Sequence, residues 1–373
     1  MEKPIKNILI SAGEASGDMH AANLVQKVKK IAPDMRFYGM GGDLMRNAGA
    51  DVIVDANSLS IIGLLEIITK FFKLLAAFRA MKRALFRDKP DLLILVDYPG
   101  FNLRLAKVAK KAGIKVLYFI SPKVWAWNQG RVKTIKESVD MMAVIFPFEV
   151  DFYKKWQVPA TFVGNPLLEI VKPKLARENA LKEFHLDPNH KTVGLFPGSR
   201  KGEIKRLLPI MLETAKLLKE HDPNLQFILP QASSISIDDL QPYLQTSSIE
   251  VRIVKNQNYD AMQVCDAIIA ASGTVTLEIA IMGIPLTIIY KISWLEHQIA
   301  KLLVKIPYIG LCNIVSNKQI AQELLQDDAT PENIAREIDK TLHDSDYRQK
   351  MINNLTKTKD LLESNEQENL AEL

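Results

Sequence analysis

Short aliphatic and β-branched runs alternate with helix-like segments along the whole chain, and the alternation starts afresh near its middle. This pattern is typical of parallel sheets joined by crossover helices. It predicts an α/β fold of two Rossmann-like, doubly wound domains that face a central cleft. At 373 residues the chain is also too long for one ordinary domain. We predict domains over residues 1–171 and 172–343, and a helical segment over 344–373 that crosses back to the first domain or to a partner chain.

The alternation also places individual elements. The predicted strands span residues 7–10, 35–38, 91–96, 115–120, 141–145 and 161–163 in the first half, and 192–196, 226–229, 250–254, 267–270 and 286–290 in the second. Helix-like segments lie between them, for example over residues 19–31 and 103–112. A polar stretch without strand character runs from residue 172 to 191, and we interpret it as the interdomain linker region.

Composition limits the class of protein. Hydrophobic residues make up 47% of the chain and charged residues 24%, so each domain can bury a core. Cys265 and Cys312 form no CxxC pair, which indicates a reducing compartment. The net charge of +5 is too small to indicate a nucleic-acid-binding protein. The amino terminus lacks the pattern of a signal peptide, and no uninterrupted apolar stretch approaches the ~20 residues of a membrane span.

Two loops in the first half follow predicted strands, where an open α/β sheet binds its ligands. The loop SAGEASGD, residues 11–18, has small residues that allow a ligand to approach backbone amides, but it matches neither GxGxxG nor Walker A. A tight turn with Asp18 capping the next helix is the alternative. In VDYPGFN, Asp97 ends a strand and is placed to take a proton from an acceptor hydroxyl. Alternatively, Asp97 only stabilises the turn.

A third loop follows the first strand of the second half. In FPGSRKGE, residues 196–203, the amides of Gly198 and Ser199 can point at phosphate oxygens from a helix start. Arg200 adds a forked cationic donor that suits a departing pyrophosphate. The alternative is a surface turn with solvated charges.

A fourth loop repeats this chemistry in the same half. In AASGTVTLE, residues 270–278, the small residues Ser272, Gly273 and Thr274 open a helix and offer amides and hydroxyls to phosphate. Glu278 lies one turn after Thr274 and suits ribose hydroxyls. Alternatively, Glu278 only stabilises the helix start. Two such helix starts in one domain predict a pyrophosphate-binding site.

An aromatic segment, SPKVWAWN, follows another predicted strand. Trp125 and Trp127 lie in this loop, and such rings bind sugars and acyl chains, although packing beneath the site is an equal alternative. The six histidines have no metal-ligand spacing, and no DxD pair stands out as a divalent-ion site. We therefore expect neither a metal nor a cofactor.

Residues 59–78, LSIIGLLEIITKFFKLLAAF, are apolar around most of a helical wheel. The polar residues Glu66, Thr69, Lys70 and Lys73 share one narrow stripe. A helix that packs on one sheet face needs a much narrower apolar arc. A basic cluster follows, formed by Arg79, Lys82, Arg83, Arg87 and Lys89. This combination predicts insertion at an anionic membrane interface, and a helix buried on two sides is the alternative.

Together these motifs resemble those of the lipid-A-disaccharide synthase family. Its members are bacterial inverting glycosyltransferases of the glycosyltransferase-B type. The matching stretches are SAGEASGD, VDYPGFN, SPKVWAWNQGRV, FPFEVDFY, FVGNP, LFPGSRKGEI and ASGTVTLE. The resemblance implies transfer of a diacylglucosamine from UDP-diacylglucosamine to diacylglucosamine 1-phosphate, which gives a β-1′,6-linked disaccharide and UDP. It also implies a cytoplasmic enzyme that associates peripherally with anionic lipids of the inner membrane, binds no metal and forms domain-swapped homodimers.

The resemblance assigns roles to residues of this chain. It implies Asp97 as the catalytic base and Arg200 as the catalytic clamp on the pyrophosphate. The UDP-binding residues would be Gly198, Ser199, Arg200, Ser272, Gly273, Thr274, Glu278 and Asn313. The acceptor-side residues would be Glu14, Ser16, Trp125 and Trp127. The apolar stretch itself, rather than the resemblance, gives the expected membrane-contact residues as Ile61, Leu64, Leu65, Ile68, Phe71, Phe72 and Leu75.

Two rival interpretations keep part of this pattern. One is a transferase or epimerase that acts on UDP-N-acetylglucosamine, in which the broad apolar stretch would lack a purpose. The other is a peripheral membrane-binding protein with vestigial nucleotide loops, which the presence of Asp97, Arg200 and Glu278 disfavours.

Overall fold

The computed structural model describes residues 6–59, 67–127, 129–293, 296–298, 306–363 and 370. The chain divides into two compact units, one formed by residues 1–166 and 364–373 and the other by residues 167–363. The boundary lies between residues 166 and 167, whereas the sequence pattern predicts it between residues 171 and 172.

The first unit is built on one parallel sheet. Its strands are β1 (Asn7–Ala12), β2 (Arg36–Gly41), β3 (Asp51–Asp55), β4 (Leu92–Val96), β5 (Lys115–Phe119), β6 (Met141–Val144) and β7 (Ala160–Phe162), and its helices are α1 (Ala15–Ile31), α2 (Asp43–Asn47), α3 (Ile67–Asp88), α4 (Pro99–Lys111), α5 (Arg131–Ser138) and α6 (Pro147–Lys155). The strand order is β3-β2-β1-β4-β5-β6-β7. The order reverses between β1 and β4, so the loops after these strands are where such a sheet binds ligands.

Helices cover both faces of this sheet, which explains why its strands are apolar on every side. Along β1, Leu9 belongs to one buried cluster together with residues of α3 and α4. Its neighbours Ile8 and Ile10 belong to the opposite cluster, which includes residues of α1. Successive side chains of a strand point to opposite faces. A strand covered on both sides therefore has to be apolar at every position.

The second unit has the same architecture. Its strands are β8 (Thr192–Phe196), β9 (Gln226–Gln231), β10 (Arg252–Lys255), β11 (Ala267–Ala271), β12 (Leu286–Tyr290) and β13 (Glu323–Leu325), and its helices are α7 (Leu167–Ile170), α8 (Arg177–Glu183), α9 (Lys201–His221), α10 (Ile237–Leu244), α11 (Asn258–Gln263), α12 (Val275–Ile281), α13 (Leu311–Ser316), α14 (Pro331–His343) and α15 (Ser345–Asp360). The parallel strands follow the order β10-β9-β8-β11-β12-β13. Here the order reverses between β8 and β11.

The polar stretch interpreted as a linker is instead a packed part of the second unit, so that interpretation is wrong. Residues 177–183 form α8, and Leu181, Phe184 and Leu186 are buried in the same cluster as residues of β11. Asp260 fixes the start of the stretch by accepting hydrogen bonds from the amides of Lys174 and Leu175, both at 2.7 Å. The side chains of Leu181, Phe184 and Leu186 thus anchor a segment whose average composition is polar.

Every strand predicted from the sequence is present, with ends shifted by a few residues, and β3 and β13 are additional. At the carboxyl end, α15 packs within the second unit through Met351 and Leu355. Leu370 packs against the buried cluster on the α1 face of the first unit. No helix in the described part of the chain is long and apolar enough to span a membrane.

Candidate active site

Asp97 lies directly after β4, at the point where the first sheet reverses its strand order. Asp97 and Tyr98 both adopt left-handed backbone conformations, with φ values of 45° and 46°. Such conformations are uncommon for residues other than glycine, and they tend to be kept at functional sites. They turn the chain sharply at the strand end, before α4 begins at Pro99.

Buried hydrogen bonds hold this turn. The Asn102 side chain, fully buried, donates to the carbonyl of Asp97 at 2.7 Å and accepts from the Ser11 hydroxyl at 2.7 Å. The Tyr118 hydroxyl also donates to the Asp97 carbonyl, at 2.6 Å. Asn102 therefore joins the ends of β1 and β4, and the Asp97 carboxylate is mounted on a rigid support.

Glu14 shares this edge of the sheet with Asp97. Burial raises the pKa of Asp97, the negative charge of Glu14 raises it further, and a backbone hydrogen bond from Tyr98 and the charge of Lys123 lower it. Gly13 allows the β1 loop to come this close, because a side-chain carbon there would lie 2.2 Å from the Tyr98 ring. Glu14 and Ser16 are exposed at the start of α1, and Glu14 makes no side-chain cap. The expected base and two acceptor-side residues thus lie in one region.

The structure separates the two tryptophans of the aromatic segment. Trp125 is only 7% exposed, and its indole N–H donates to the Glu149 carboxylate at 3.0 Å. Trp127 is 47% exposed, and the Arg131 guanidinium lies 5.4 Å from its ring centre. Trp125 therefore packs inside the protein, which was the alternative to ligand binding, whereas Trp127 is available to a ligand.

Glu149 is a buried carboxyl group to which the sequence motifs assign no role. It accepts a hydrogen bond from the Phe146 amide at 3.1 Å as well as the one from Trp125. Burial raises its pKa to about 7, against the lowering effect of these hydrogen bonds and one from Ser121. The Ser121 hydroxyl also lies 2.7 Å from that of Tyr153. This polar network fixes the segment that leaves β5, next to Asp97.

In the second unit, the loop after β8 is organised by Glu203. The Glu203 carboxylate accepts hydrogen bonds from the amides of Ser199 at 3.0 Å and Arg200 at 3.2 Å. Gly198 has a φ of 104°, and a side-chain carbon there would lie 2.2 Å from the same carboxylate. The Ser199 amide expected to face phosphate is thus occupied in this structure. An anion that binds here has to replace Glu203.

Arg200 lies at the surface of this loop. Its side chain is 79% exposed, and its guanidinium contacts the Glu203 carboxylate at 3.0 Å. An exposed pair of this kind contributes little to stability, so the guanidinium can exchange this partner for a phosphate.

The loop after β11 is partly committed to the protein itself. The Ser272 hydroxyl donates to the Ile309 carbonyl at 2.9 Å, and its amide donates to the Ile289 carbonyl at 3.2 Å. Gly273 has open space around it, and Thr274 is exposed. Within this turn, Gly273 and Thr274 rather than Ser272 are available to a phosphate.

Glu278 lies close enough to Tyr259 to affect the pKa of its hydroxyl. Burial raises the pKa of Glu278 to about 7. Burial also raises the pKa of Tyr259 to about 12, with a contribution from Glu278. Tyr259 lines a cavity of about 300 Å³ at the carboxyl ends of β9 and β10. It is also lined by Lys172, Lys174, Gln231, Ser233, Asn256, Gln257, Asn258 and Asp260. Glu278 therefore stands near a cavity that the sequence did not indicate.

Asn313 is fully buried and fully hydrogen-bonded. Its amide group donates to the Ala321 carbonyl and to Glu323, both at 2.8 Å, and its oxygen accepts from the amides of Ile320 and Ala321 at 2.9 and 3.0 Å. Glu323 in turn accepts from the Gly310 amide at 2.9 Å. Asn313 can therefore affect a nucleotide only indirectly, by positioning the backbone to which its side chain is hydrogen-bonded.

Helix α3 carries those expected membrane-contact residues whose side chains are described. Met81 and Leu85 are buried in the core, whereas Phe71 and Phe72 are 62% and 61% exposed, and Leu75 is half-buried. Ile61, Leu64, Leu65 and the side chain of Ile68 lie outside the described residues. The exposed basic residues of the same helix include Lys73, Arg79, Lys82, Arg83 and Arg87.

Within the described ranges, no cluster of His, Cys, Asp and Glu side chains is arranged to hold a metal ion.

Comparison with known proteins places the whole chain in one family. Residues 8–373 match the family model described as Lipid-A-disaccharide synthetase. Lipid-A-disaccharide synthase of Geobacter metallireducens is 50% identical over 361 residues, covering 97% of this chain and 94% of the relative. The enzyme of Nitrosococcus oceani is 49% identical over 373 residues, covering 100% and 96%.

Solved structures show the same fold at much lower identity. UDP-GlcNAc 2-epimerase from Neisseria meningitidis, bound to UDP-GlcNAc, superposes with a TM-score of 0.65 at 13% identity over 95% of this chain and 97% of that one. MurG of Acinetobacter baumannii gives a TM-score of 0.57 at 16% identity over 98% of both chains. These likenesses confirm the glycosyltransferase-B type of fold.

Proposed function

The chain belongs to the lipid-A-disaccharide synthetase family, and on that premise we propose that it joins two acylated glucosamines with release of UDP. The donor is UDP-diacylglucosamine and the acceptor is diacylglucosamine 1-phosphate. The product is a β-1′,6-linked disaccharide 1-phosphate. This proposal rests on the 50% sequence identity to a lipid-A-disaccharide synthase over 97% of the chain.

Asp97 is the proposed general base. Its carboxylate takes the proton of the acceptor's 6-hydroxyl while that oxygen bonds to C1 of the donor sugar, and the C1–O bond to UDP breaks with its electron pair leaving on the diphosphate. Attack from the face opposite UDP converts the α linkage into a β linkage in one step. Burial and Glu14 support this role, because a raised pKa makes the Asp97 carboxylate a stronger base.

Groups of the second unit are the proposed donor site. Arg200 exchanges Glu203 for the pyrophosphate, and the amide of Ser199 becomes available in the same step. The guanidinium then stabilises the negative charge that develops on the departing UDP. Gly273 and Thr274 contribute amides, and Glu278 accepts hydrogen bonds from ribose hydroxyls. Gly198 permits the tight turn, while Ser272 and Asn313 hold the surrounding backbone.

The acceptor-side residues are Glu14, Ser16 and Trp127, with Trp125 as internal support. We propose that α3 brings these residues to lipid substrates by inserting its exposed residues Phe71 and Phe72 into the inner face of the inner membrane. Phe71 and Phe72 enter the apolar layer, and Arg79, Lys82 and Arg83 contact anionic headgroups. We also propose that the protein forms a homodimer that exchanges carboxyl-terminal segments, so a chain truncated after residue 363 should have the mass of a monomer in solution.

The test is to incubate the purified protein with both acylated substrates in detergent micelles and to analyse the products by mass spectrometry. The proposal expects a disaccharide 1-phosphate and UDP in equal amounts. A protein that instead epimerises UDP-N-acetylglucosamine and makes no disaccharide is an epimerase, and one that binds vesicles without either reaction is a membrane-binding protein. Asp97→Asn serves as the matched control for contaminating enzymes.

A further inference from the structure

Two cations, Lys123 and Arg131, lie at the same edge of the first sheet as Asp97. Strand β5 pairs with β4 in register up to Phe119 and Val96, so the segment that leaves β5 runs beside the Asp97 turn. Lys123 lies in this segment, and its charge offsets part of the effect of burial and Glu14 on the pKa of Asp97. Arg131 begins α5, and its charge acts on Tyr118, whose hydroxyl is 2.6 Å from the Asp97 carbonyl.

Neither cation forms an ion pair with a carboxylate in the part of the chain that the structure describes. The Arg131 guanidinium instead lies 5.4 Å from the centre of the exposed Trp127 ring. An aromatic face orients a guanidinium without accepting its N–H hydrogen bonds. Arg131 is therefore held in place, and within the described residues no hydrogen bond occupies its guanidinium, which leaves it available to an acceptor such as a phosphate oxygen.

Cations are needed at this edge of the sheet to offset the negative charges that meet there. Asp97 and Glu14 place two acidic groups where the acceptor must approach, and the acceptor itself carries a phosphomonoester. Its reacting 6-hydroxyl and its phosphate are attached to the same sugar ring, so the phosphate lies within the span of one hexose from Asp97. An uncompensated anion at that distance would be repelled by both carboxylates.

We propose that Lys123 and Arg131 bind the phosphate group of a sugar 1-phosphate acceptor and so orient its 6-hydroxyl toward Asp97. This assignment rests on the proposed function for the identity of the acceptor. Arg131 supplies the fork of donors that suits phosphate oxygens, and Lys123 supplies a mobile point charge. Trp127 supports the guanidinium and covers one side of the sugar.

The test combines variants with a change in the substrate. Lys123→Gln, Arg131→Gln and the double variant are assayed with the acceptor and with the same diacylglucosamine lacking its phosphate. Loss of one hydrogen bond to a charged group should raise the KM for the phosphorylated acceptor about ten-fold in each single variant, with the donor KM unchanged. The ratio of kcat/KM for the phosphorylated acceptor to that for the acceptor without phosphate should therefore fall about ten-fold in each single variant. Lys133→Gln, an exposed cation on the same helix, is the matched control.

A second measurement does not depend on turnover. Glucosamine 1-phosphate and glucosamine are titrated into the wild-type protein and the variants by calorimetry, with Arg131→Lys as a variant that keeps the charge but loses the fork. The inference expects that wild type prefers the phosphorylated sugar and that the double variant loses this preference. Variants that retain the full preference in both measurements overturn the inference, and disaccharide formation by the wild type would still leave the proposed function standing. Phosphate-dependent binding through both cations without any transfer would contradict the proposed function alone.

Discussion

Replacing Phe71 and Phe72 by serine should release the protein from membranes while leaving it folded. The two side chains are 62% and 61% exposed, so the protein covers only about two-fifths of each. Complete burial of a phenylalanine contributes about 1.5–3 kcal/mol. The exposed parts of the pair would then supply about 2–4 kcal/mol of membrane affinity, which is roughly a thirty- to several-hundred-fold change in binding. The loss of folding stability should stay below about 1 kcal/mol for each residue.

The assay is sedimentation with vesicles that contain or lack anionic lipid, accompanied by thermal melts. Met81→Ala is the matched control, because Met81 is fully buried on the other face of α3. That change should cost about 2–5 kcal/mol of stability without reducing the vesicle binding of the folded protein. If the phenylalanine variant binds vesicles as wild type does, or unfolds as Met81→Ala does, the assignment of α3 to the membrane is wrong.

Three further predictions concern the chemistry. Asp97→Asn should lower kcat about 10²–10⁴-fold with UDP affinity unchanged, since the amide keeps the shape but not the basicity, and near-normal kcat would remove Asp97 from the mechanism. Arg200→Ala should weaken UDP binding in calorimetry about ten-fold or more, whereas Lys201→Ala, whose cation pairs with Asp239 at 2.7 Å, should not. UDP affinity should fall as the pH decreases through about 7, because ribose hydroxyls favour ionised Glu278 and its pKa in the free protein is about 7. Glu278→Gln should flatten this dependence, and an equally steep curve in the variant would exclude Glu278 from the ribose site.

The sequence was sufficient for the fold because buried parallel strands are apolar at every position. Strand β1 and its neighbours therefore stand out as short aliphatic runs. Strands β3 and β13 escaped prediction because each is a short edge strand with several exposed or half-buried positions. Residues 172–191 were misinterpreted because Leu181, Phe184 and Leu186 anchor them without dominating their composition.

The candidate site was predictable only in part. The position of Asp97 at a strand end follows from the order of elements. The effect of Glu14 on its pKa, however, depends on how closely two loops approach each other. Glu203 accepts hydrogen bonds from the amides of Ser199 and Arg200, and the sequence contains a signal for this. The signal is an acidic residue three positions after a helix cap, and the prediction of a phosphate site did not take it into account. Glu149 also lies three positions after a helix cap, Phe146, but its burial could not be predicted, because a glutamate is rarely buried and its Trp125 partner is distant in sequence.

The measurement that tests the central claim most directly is the structure of the product. Wild-type protein is supplied with UDP-diacylglucosamine and diacylglucosamine 1-phosphate, and the disaccharide is isolated and its linkage determined by NMR. An inverting transfer with Asp97 as the base predicts a β linkage from C1 of the donor sugar to O6 of the acceptor, absent from the Asp97→Asn reaction at equal enzyme concentration. An α linkage, bonding at another hydroxyl, or hydrolysis of the donor without any disaccharide would contradict the account.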